Sequence, residues 1–207
     1  MIAIDQNNGQ AVHLSDFFVA KVLEMNDEIK NLKQQSKTFT DEEESALWRC
    51  MNDKICPVLC KELSLIIDAH SEEYIFDLYR GVSNSLMRQL QNKSIGEKLL
   101  LNRVTSFSED FNIARQFASH EIYGTRVILH VVGPVQAFPY SKHMEQILLA
   151  APDCEFSGFD KNKHRMDNVD MVQNEQEWII NECTTLKIVD IIDDEQTRMC
   201  IYKAEIY

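Results

Sequence analysis

Several features that define whole classes of protein are scarce in this sequence of 207 residues. It has only 6 glycines and 4 prolines, too few for a fibrous or low-complexity chain. Its longest apolar runs, such as residues 127–132, fall far short of the roughly 18 residues that a membrane-spanning helix needs. The opening residues MIAIDQNNGQ lack a basic region followed by an apolar stretch, so we expect no secretory signal.

Positive charge is also in short supply. The chain has 21 Lys and Arg against 33 Asp and Glu, which gives a formal net charge of −12. A chain with this excess of negative charge is repelled on average by phosphate backbones and by anionic membrane surfaces. We therefore expect neither nucleic acid nor a membrane to be a partner held by bulk charge.

The cysteines form no recognisable metal or disulfide pattern. There are 6 of them, and three lie close together at Cys50, Cys56 and Cys60, on what we predict to be one helix. No C-x-x-C pair is present and no histidine stands at zinc-finger spacing. Because the chain is large and no secretory signal is expected, we predict reduced cysteines, with these three as small core residues.

The pattern along the chain predicts an α+β fold in a single domain, with a helical segment over residues 1–70 and a β-rich core over residues 71–207. Thr40 and Glu43 match a capping box, and Pro57 fits the first turn of a following helix. The polar stretch 153–171 shows no periodicity and is interpreted as a long surface loop. Other helices are predicted over residues 16–35, 85–91 and 110–119, a short helix or strand over 146–149, and extended segments or strands over 74–82, 98–106, 126–132, 177–180, 185–190 and 199–205.

Two short motifs could hold a ligand. Arg80 and Gly81 stand at the end of a predicted strand, where the planar guanidinium would match phosphate oxygens and the glycine would let a ligand approach the backbone. Alone, such an arginine is more often solvated or ion-paired. Ser106 and Ser108 lie on one side of an extended segment and could hold a carboxylate or a ribose. Alternatively, Ser108 is simply the N-cap of the helix that follows.

A third motif contains two carboxylates. Glu175 and Glu177 are two residues apart, so in an extended chain they face the same way and repel each other. One interpretation is an exposed strand edge that acidic residues keep soluble. In a functional interpretation, one carboxylate would hold a sugar hydroxyl and favour a cationic transition state, while the other would orient or deprotonate a nucleophile.

In this order, Arg80-Gly81, Ser106-Phe107-Ser108 and Glu175-Gln176-Glu177 resemble the R-S-E signature of arginine-specific mono-ADP-ribosyltransferases. The similarity is greatest to the small ModA and ModB enzymes of T-even bacteriophages, and the length favours the ModB branch. It extends from residue 40 to the C-terminus and includes residues 44–51, 102–104 and 151–156. The threonine that is common in the middle of the serine motif is replaced here by Phe107, which removes any role for a middle hydroxyl.

The resemblance implies the ADP-ribosyltransferase fold, with a split β-sandwich core of two small sheets behind a helical N-terminal segment. It also implies a set of residues that bind NAD as a substrate. Arg80 would hold the phosphates, and the backbone of Gly81 would meet the nicotinamide amide. Ser106 would fix the catalytic glutamate, Ser108 would support the nicotinamide side of the pocket, and Phe117 would stack on the nicotinamide.

The same resemblance assigns the chemistry to two acids. Glu177 would be the catalytic glutamate, bonding a ribose hydroxyl as nicotinamide leaves, with Arg80 and Ser106 beside it. Glu175 would engage the target arginine, and the long segment before it would read the target protein. No metal would be required.

The function implied is that of an NAD–protein-arginine ADP-ribosyltransferase in the cytoplasm of a bacterial host. Its partners would be host proteins with exposed arginines, either ribosome-associated proteins or RNA polymerase, and the acidic net charge suits an arginine-bearing surface. NAD-capped RNA is a further donor that the resemblance admits, and no membrane partner is implied. Two alternatives stay open: an NAD glycohydrolase, and a non-enzymatic acidic phage protein that binds and inhibits a host factor.

Overall fold

A computed structural model describes residues 2–4, 11–13, 38–52, 54–118, 124–150 and 161–207. The helix predicted over residues 16–35 lies outside these ranges, as does Cys154. The described helices are α1 (Asp41–Asn52), α2 (Pro57–His70), α3 (Asn84–Leu90), α4 (Phe111–Phe117), α5 (Tyr140–Ala150) and α6 (Lys161–Glu175). The described strands are β1 (Ile2–Ile4), β2 (Ala11–His13), β3 (Glu72–Tyr74), β4 (Leu78–Gly81), β5 (Lys98–Leu100), β6 (Thr105–Ser108), β7 (Arg126–Val131), β8 (Val135–Ala137), β9 (Glu177–Ile180), β10 (Thr185–Asp194) and β11 (Met199–Ile206).

The first helices begin where local signals predict them. The backbone N–H of Thr40 donates to Glu43 Oε2 at 2.7 Å, and the N–H of Glu43 donates to Thr40 Oγ1 at 3.2 Å. This reciprocal pair satisfies two N–H groups that have no partner within α1. Pro57 is the first residue of α2, where its missing N–H removes no helical hydrogen bond. Both predictions are confirmed.

Seven strands form one curled sheet in the order β5-β10-β11-β7-β4-β6-β9. The pairing of β7 with β11 is parallel, and the other pairings are antiparallel. A nearly continuous apolar sequence suits β7, because this central strand is buried along almost its whole length. The junction between β4 and β6 consists of one residue pair, Tyr79 with Ser108. In the strand pairing, the two halves of the predicted split core therefore meet at one residue pair.

Two hydrophobic clusters fix the helices on the sheet. The first is built by α1, α2, α5 and α6 against Phe138 and Ile179, with Leu47 and Leu63 fully buried within it. The second lies among the strands and includes Leu129 and Ile180. Truncating a fully buried leucine to alanine costs about 2–5 kcal/mol, so either cluster alone contributes substantially to stability.

The helix α6 corrects the interpretation of residues 153–171 as a surface loop. Residues 161–171 belong to α6, and residues 153–160 lie outside the described ranges. Among the described side chains of α6, Val169 and Val172 are the buried ones. The four apolar residues of this polar helix, Met166, Val169, Met171 and Val172, give no clear stripe, so its helical character comes from packing rather than from a periodic pattern.

Other departures from the sequence predictions are local. The strand predicted over residues 74–82 is divided between β3 and β4, which lie in different sheets, and residues 146–149 are part of α5. The described part of the N-terminal segment begins with β1 and β2, which pair with each other. The three clustered cysteines are not on one helix: Cys50 is in α1, Cys56 precedes α2, and only Cys60 among them is buried. The described cysteines are all free.

Candidate active site

A cavity of about 370 Å³ opens where β4, β6 and the start of β9 meet α4 and the ends of α1 and α6. Cavities of this size are typical of small-molecule sites. All seven residues singled out in the sequence line it: Arg80, Gly81, Ser106, Ser108, Phe117, Glu175 and Glu177. They converge because their strands are neighbours in the sheet, in the order β4-β6-β9.

Arg80 connects the two halves of the sheet at the wall of this cavity. Its Nη1 donates to the backbone oxygen of Ser106 at 2.5 Å and to Ser106 Oγ at 3.0 Å. Its Nε is buried without a hydrogen-bond partner among the described residues. The pKa of Arg80 is lowered to about 10, chiefly by burial and to a smaller extent by the positive charge of Arg103, while the charge of Glu177 opposes this decrease. A buried guanidinium with an unused donor is costly, and an anion in the cavity would relieve that cost.

Gly81 allows a close contact between a helix and the sheet. A Cβ at this position would lie 2.5 Å from the backbone nitrogen of Ala118 and 2.6 Å from the backbone carbon of Phe117, and closer still to the carbonyl oxygen of Ala114. The contact brings the last residue of α4, Phe117, to the cavity with 62% of its surface exposed. The glycine is thus explained by packing, whereas the nicotinamide contact implied by the resemblance stays a prediction.

Ser106 and Ser108 make hydrogen bonds to different parts of the site: Ser106 accepts from Arg80, whereas Ser108 contacts the ends of two helices. Ser108 pairs with Glu177 across β6 and β9, and its hydroxyl donates to the backbone oxygen of Glu175 at 2.7 Å. The same hydroxyl accepts from the N–H of Asp110 at 3.0 Å. The N-cap of α4 is Asp110, which accepts from the N–H of Asn112 at 2.7 Å, so the interpretation of Ser108 as that cap is wrong. Ser108 instead connects the start of α4 to the end of α6.

The two glutamates reach the cavity through a turn rather than through an extended segment. Glu175 ends α6, Glu177 begins β9, and Gln176 between them has φ of 45°, in the left-handed region. This conformation is uncommon for a residue with a Cβ. It is held by the N–H of Glu109, which donates to the oxygen of Gln176 at 3.2 Å. The expectation that both carboxylates face one side is met, although the predicted extended geometry is wrong.

Glu177 is the most perturbed acid of the site. Its pKa is raised to about 7, chiefly by burial and to a smaller extent by the charge of Glu175, while a hydrogen bond from Ser106 and the charge of Arg80 oppose the increase. Burial also raises the pKa of Glu175. Acids whose pKa approaches neutrality in a cavity are typical of residues that handle charge or protons in catalysis.

Residues of the helical segments, which the sequence did not single out, complete the wall. The N–H of Glu177 donates to Ser141 Oγ at 2.6 Å, at the start of α5. Next to it, the hydroxyl of Tyr140 donates to the backbone oxygen of Leu47 at 3.0 Å. Cys50 lines the cavity, and burial together with Glu177 raises its pKa to about 12, so its thiol stays protonated. Of these residues, Leu47 and Cys50 belong to residues 44–51, one of the short segments that resemble the family.

The described residues offer neither a metal-binding cluster nor a membrane-spanning helix. None of their His, Cys, Asp and Glu side chains form a group of three or more that could hold a metal ion. None of the helices in the described ranges combines the length and apolar character of a membrane span.

Comparisons with known proteins identify the family and the fold of the chain. Residues 13–206 match the family described as bacteriophage T4 Mod ADP-ribosyltransferase. The NAD–protein ADP-ribosyltransferase modB of Enterobacteria phage T4 is 37% identical over 155 residues, which cover 72% of this chain and 73% of modB. The crystal structure of Vis, an ADP-ribosyltransferase from Vibrio splendidus, superposes with a TM-score of 0.52 at 15% identity, over 91% of this chain and 85% of Vis. The predicted α+β ADP-ribosyltransferase fold is confirmed. The chain belongs to the bacteriophage T4 Mod ADP-ribosyltransferase family and is an ADP-ribosyltransferase, an enzyme class that takes ADP-ribose from NAD.

Proposed function

We propose that this enzyme transfers ADP-ribose from NAD to arginine side chains of host bacterial proteins during phage infection, as a member of the R-S-E class. The observation that supports this most directly is the convergence of Arg80, Ser106, Glu175 and Glu177 around one cavity. A protein acceptor is further supported by the name of the T4 relative, which is a protein ADP-ribosyltransferase.

Arg80 is the group best suited to the pyrophosphate of NAD. Its Nη1 is held by Ser106, and its buried Nε has no partner among the described residues. A pyrophosphate brings two negative charges and several acceptor oxygens, which would satisfy this donor and compensate the desolvated cation. Phe117 is exposed beside the same cavity and offers a flat apolar surface for the nicotinamide ring.

The two glutamates divide the chemistry between them. The bond between the ribose C1′ and the nicotinamide nitrogen breaks, nicotinamide leaves with the electron pair, and positive charge develops on the ribose. The ionised carboxylate of Glu177 stabilises that charge, an effect on the order of 3–4 kcal/mol for one well-placed group. A guanidinium nitrogen of the acceptor then bonds C1′ and loses a proton. Glu175 takes this proton, since burial raises its pKa and makes it a stronger base than an exposed glutamate.

The test uses NAD labelled in its adenine moiety, a bacterial lysate and four proteins. These are the wild type, Glu177→Gln, Glu175→Gln and, as a matched control at an exposed position outside the cavity, Glu195→Gln. We expect the wild type and Glu195→Gln to label host proteins at arginines, mapped by mass spectrometry. Glu177→Gln should lose both labelling and nicotinamide release. Glu175→Gln should lose labelling while it retains most nicotinamide release, because only the acceptor step needs its carboxylate.

Each alternative predicts a different result in this experiment. An NAD glycohydrolase would release nicotinamide from wild-type reactions without labelling any protein. A non-enzymatic inhibitor would give neither labelling nor nicotinamide release with any of the four proteins, and in a separate growth assay the wild type and Glu177→Gln would slow host growth equally. Equal loss of labelling and nicotinamide release in Glu175→Gln would contradict its role toward the acceptor.

The next question is which host proteins accept the ADP-ribose. We propose ribosome-associated proteins as the first group to test and RNA polymerase as the second, in the cytoplasm of the infected cell. The labelled arginines identified in the lysate decide between them. Repeating the reaction with RNA that carries a 5′ NAD cap tests whether that donor is accepted, since the acceptor would then gain RNA and migrate more slowly on a denaturing gel.

A further inference from the structure

A second depression of about 620 Å³ adjoins the active-site cavity. The two share Tyr79, and the second is bounded by Gln176, the residue between the two glutamates of the active site. We call this second depression the acidic groove. A segment bound in it would therefore lie next to the place where Glu175 meets the acceptor.

Aromatic side chains form much of the surface of the acidic groove. Phe76 is 66% exposed, and its ring lies 5.7 Å from that of Tyr74 in an edge-on contact. On the other side, the rings of Tyr79 and Phe111 are 5.5 Å apart and nearly perpendicular. Aromatic faces of this kind attract cations, and guanidinium groups in particular.

The charged residues that line the acidic groove are all acidic: Asp77, Glu109 and Asp110, with no Lys, Arg or His among the described lining residues. His130 lies behind them, with its Nε2 3.2 Å from Asp77 Oδ2, and burial lowers the pKa of His130, which disfavours the cationic form that would pair with Asp77. The pKa of Tyr74 is raised to about 12, chiefly by burial, with the nearby Glu109 and Asp77 as smaller causes.

We propose that the acidic groove binds a basic segment of the acceptor protein beside the arginine that receives ADP-ribose. This inference rests on the proposed function, because it concerns the acceptor of that reaction. An aromatic surface with three carboxylates complements lysine and arginine side chains, whereas it would repel the phosphates of RNA. The groove thus selects arginines that stand in basic surroundings, and it does so without contacting NAD.

The test compares two synthetic peptides, each with a single arginine, flanked either by lysines or by alanines, together with the small guanidine agmatine. The groove variant combines Phe76→Ala with Asp77→Asn. Glu109 is left unchanged, because its N–H holds the turn between the two glutamates and its carboxylate accepts from the indole N–H of Trp178 at 2.6 Å. The matched control combines Ile192→Ala with Glu195→Gln, at exposed positions outside the groove and the cavity.

We expect the wild type and the control variant to prefer the lysine-flanked peptide by about tenfold in kcat/KM, an effect carried by KM. The groove variant should lose this preference, while its kcat/KM for agmatine changes less than twofold. Added salt should reduce the preference of the wild type, because the charges involved are exposed. An equal preference in the wild type and the groove variant, or a parallel loss with agmatine, would overturn the inference.

Failure of the proposed function gives a different result from failure of this inference. If the wild type modifies neither the peptides nor agmatine, arginine is not the acceptor and both proposals fall. If agmatine is modified but the lysine-flanked peptide has no advantage, the groove proposal alone is wrong. Calorimetric binding of the lysine-flanked peptide to the enzyme without NAD checks the same point independently of turnover, since only the groove variant should bind it more weakly.

Discussion

Replacing Glu177 by glutamine should make the protein more stable above neutral pH while it removes activity. Burial raises the pKa of this acid from 4.5 to about 7, so its ionised form is held in the folded protein at a cost. At about 1.4 kcal/mol for each pKa unit, that cost amounts to roughly 3 kcal/mol once the group is fully ionised. Glutamine keeps the shape of the side chain and does not ionise, so the variant avoids this cost.

The sign of the effect depends on pH in a defined way. Below pH 4.5 the carboxyl is neutral in both the folded and the unfolded chain, and Glu177 and its glutamine variant should be almost equally stable. Between pH 4.5 and about 7 the unfolded chain ionises first, so the wild type loses stability relative to the variant as the pH rises. Above pH 7 the difference should be constant at its maximum.

Urea denaturation at pH 4, 6 and 8 measures this difference, with Glu195→Gln as the control at an exposed position. We expect the Glu177→Gln variant to gain about 3 kcal/mol at pH 8 and little at pH 4. In a thermal scan the gain corresponds to a rise of about 6–12 °C in Tm for a chain of this size. The prediction requires that the surroundings of Glu177 destabilise its carboxylate form. A difference in unfolding free energy between wild type and variant that is the same at every pH, or that is absent at pH 8, would refute it.

Further predictions concern the other parts of the site. Arg80→Lys keeps the charge but lacks the planar fork, so NAD affinity measured by calorimetry should fall about tenfold or more, and an unchanged affinity would contradict a phosphate-binding role. Ser141→Ala removes the hydroxyl that accepts from the N–H of Glu177, so kcat should fall several-fold with little change in KM for NAD. Ser141→Thr, which keeps a hydroxyl, should restore kcat. A change in the free energy of unfolding without a change in kcat would indicate a purely structural residue. Gly81→Ala forces α4 away from β4, so the free energy of unfolding measured by urea denaturation should fall by about 1–3 kcal/mol. An unchanged urea midpoint would contradict this prediction.

The part of the site that lies on the sheet was predictable from the sequence. Each of its motifs lies in a segment that side-chain alternation or β-branched residues identify as a strand. Arg80 is the next-to-last residue of β4, Ser106 lies in β6 and Glu177 begins β9, and these three strands are neighbours. Their order along the chain and the residue types allowed the resemblance to be drawn. Which strands pair with each other was not predictable, since the contacts between β6 and β9 join residues about seventy positions apart in the sequence.

The turn between the two glutamates was not predictable for a different reason. Glycine or asparagine usually marks a left-handed residue, and the sequence has glutamine at position 176. Its conformation is imposed by tertiary contacts, namely the hydrogen bonds from Glu109 to Gln176 and from Ser108 to Glu175. The helix before the turn was missed as well, because its polar sequence contains too few apolar residues to show a helical stripe.

Residues of the helices α1 and α5 take part in the site as well as in the packing of the core. Cys50 and Met51, at the end of α1, line the same cavity as Arg80 and Glu177. The start of α5 holds the backbone of Glu177 through Ser141, and α5 shares one hydrophobic cluster with α1, α2 and α6. The position of Glu177 therefore depends on how tightly these helices pack, so a core substitution in α1 or α2 would change the active site as well as the stability. This coupling favours a single cooperative unit over a β-rich core that could act alone.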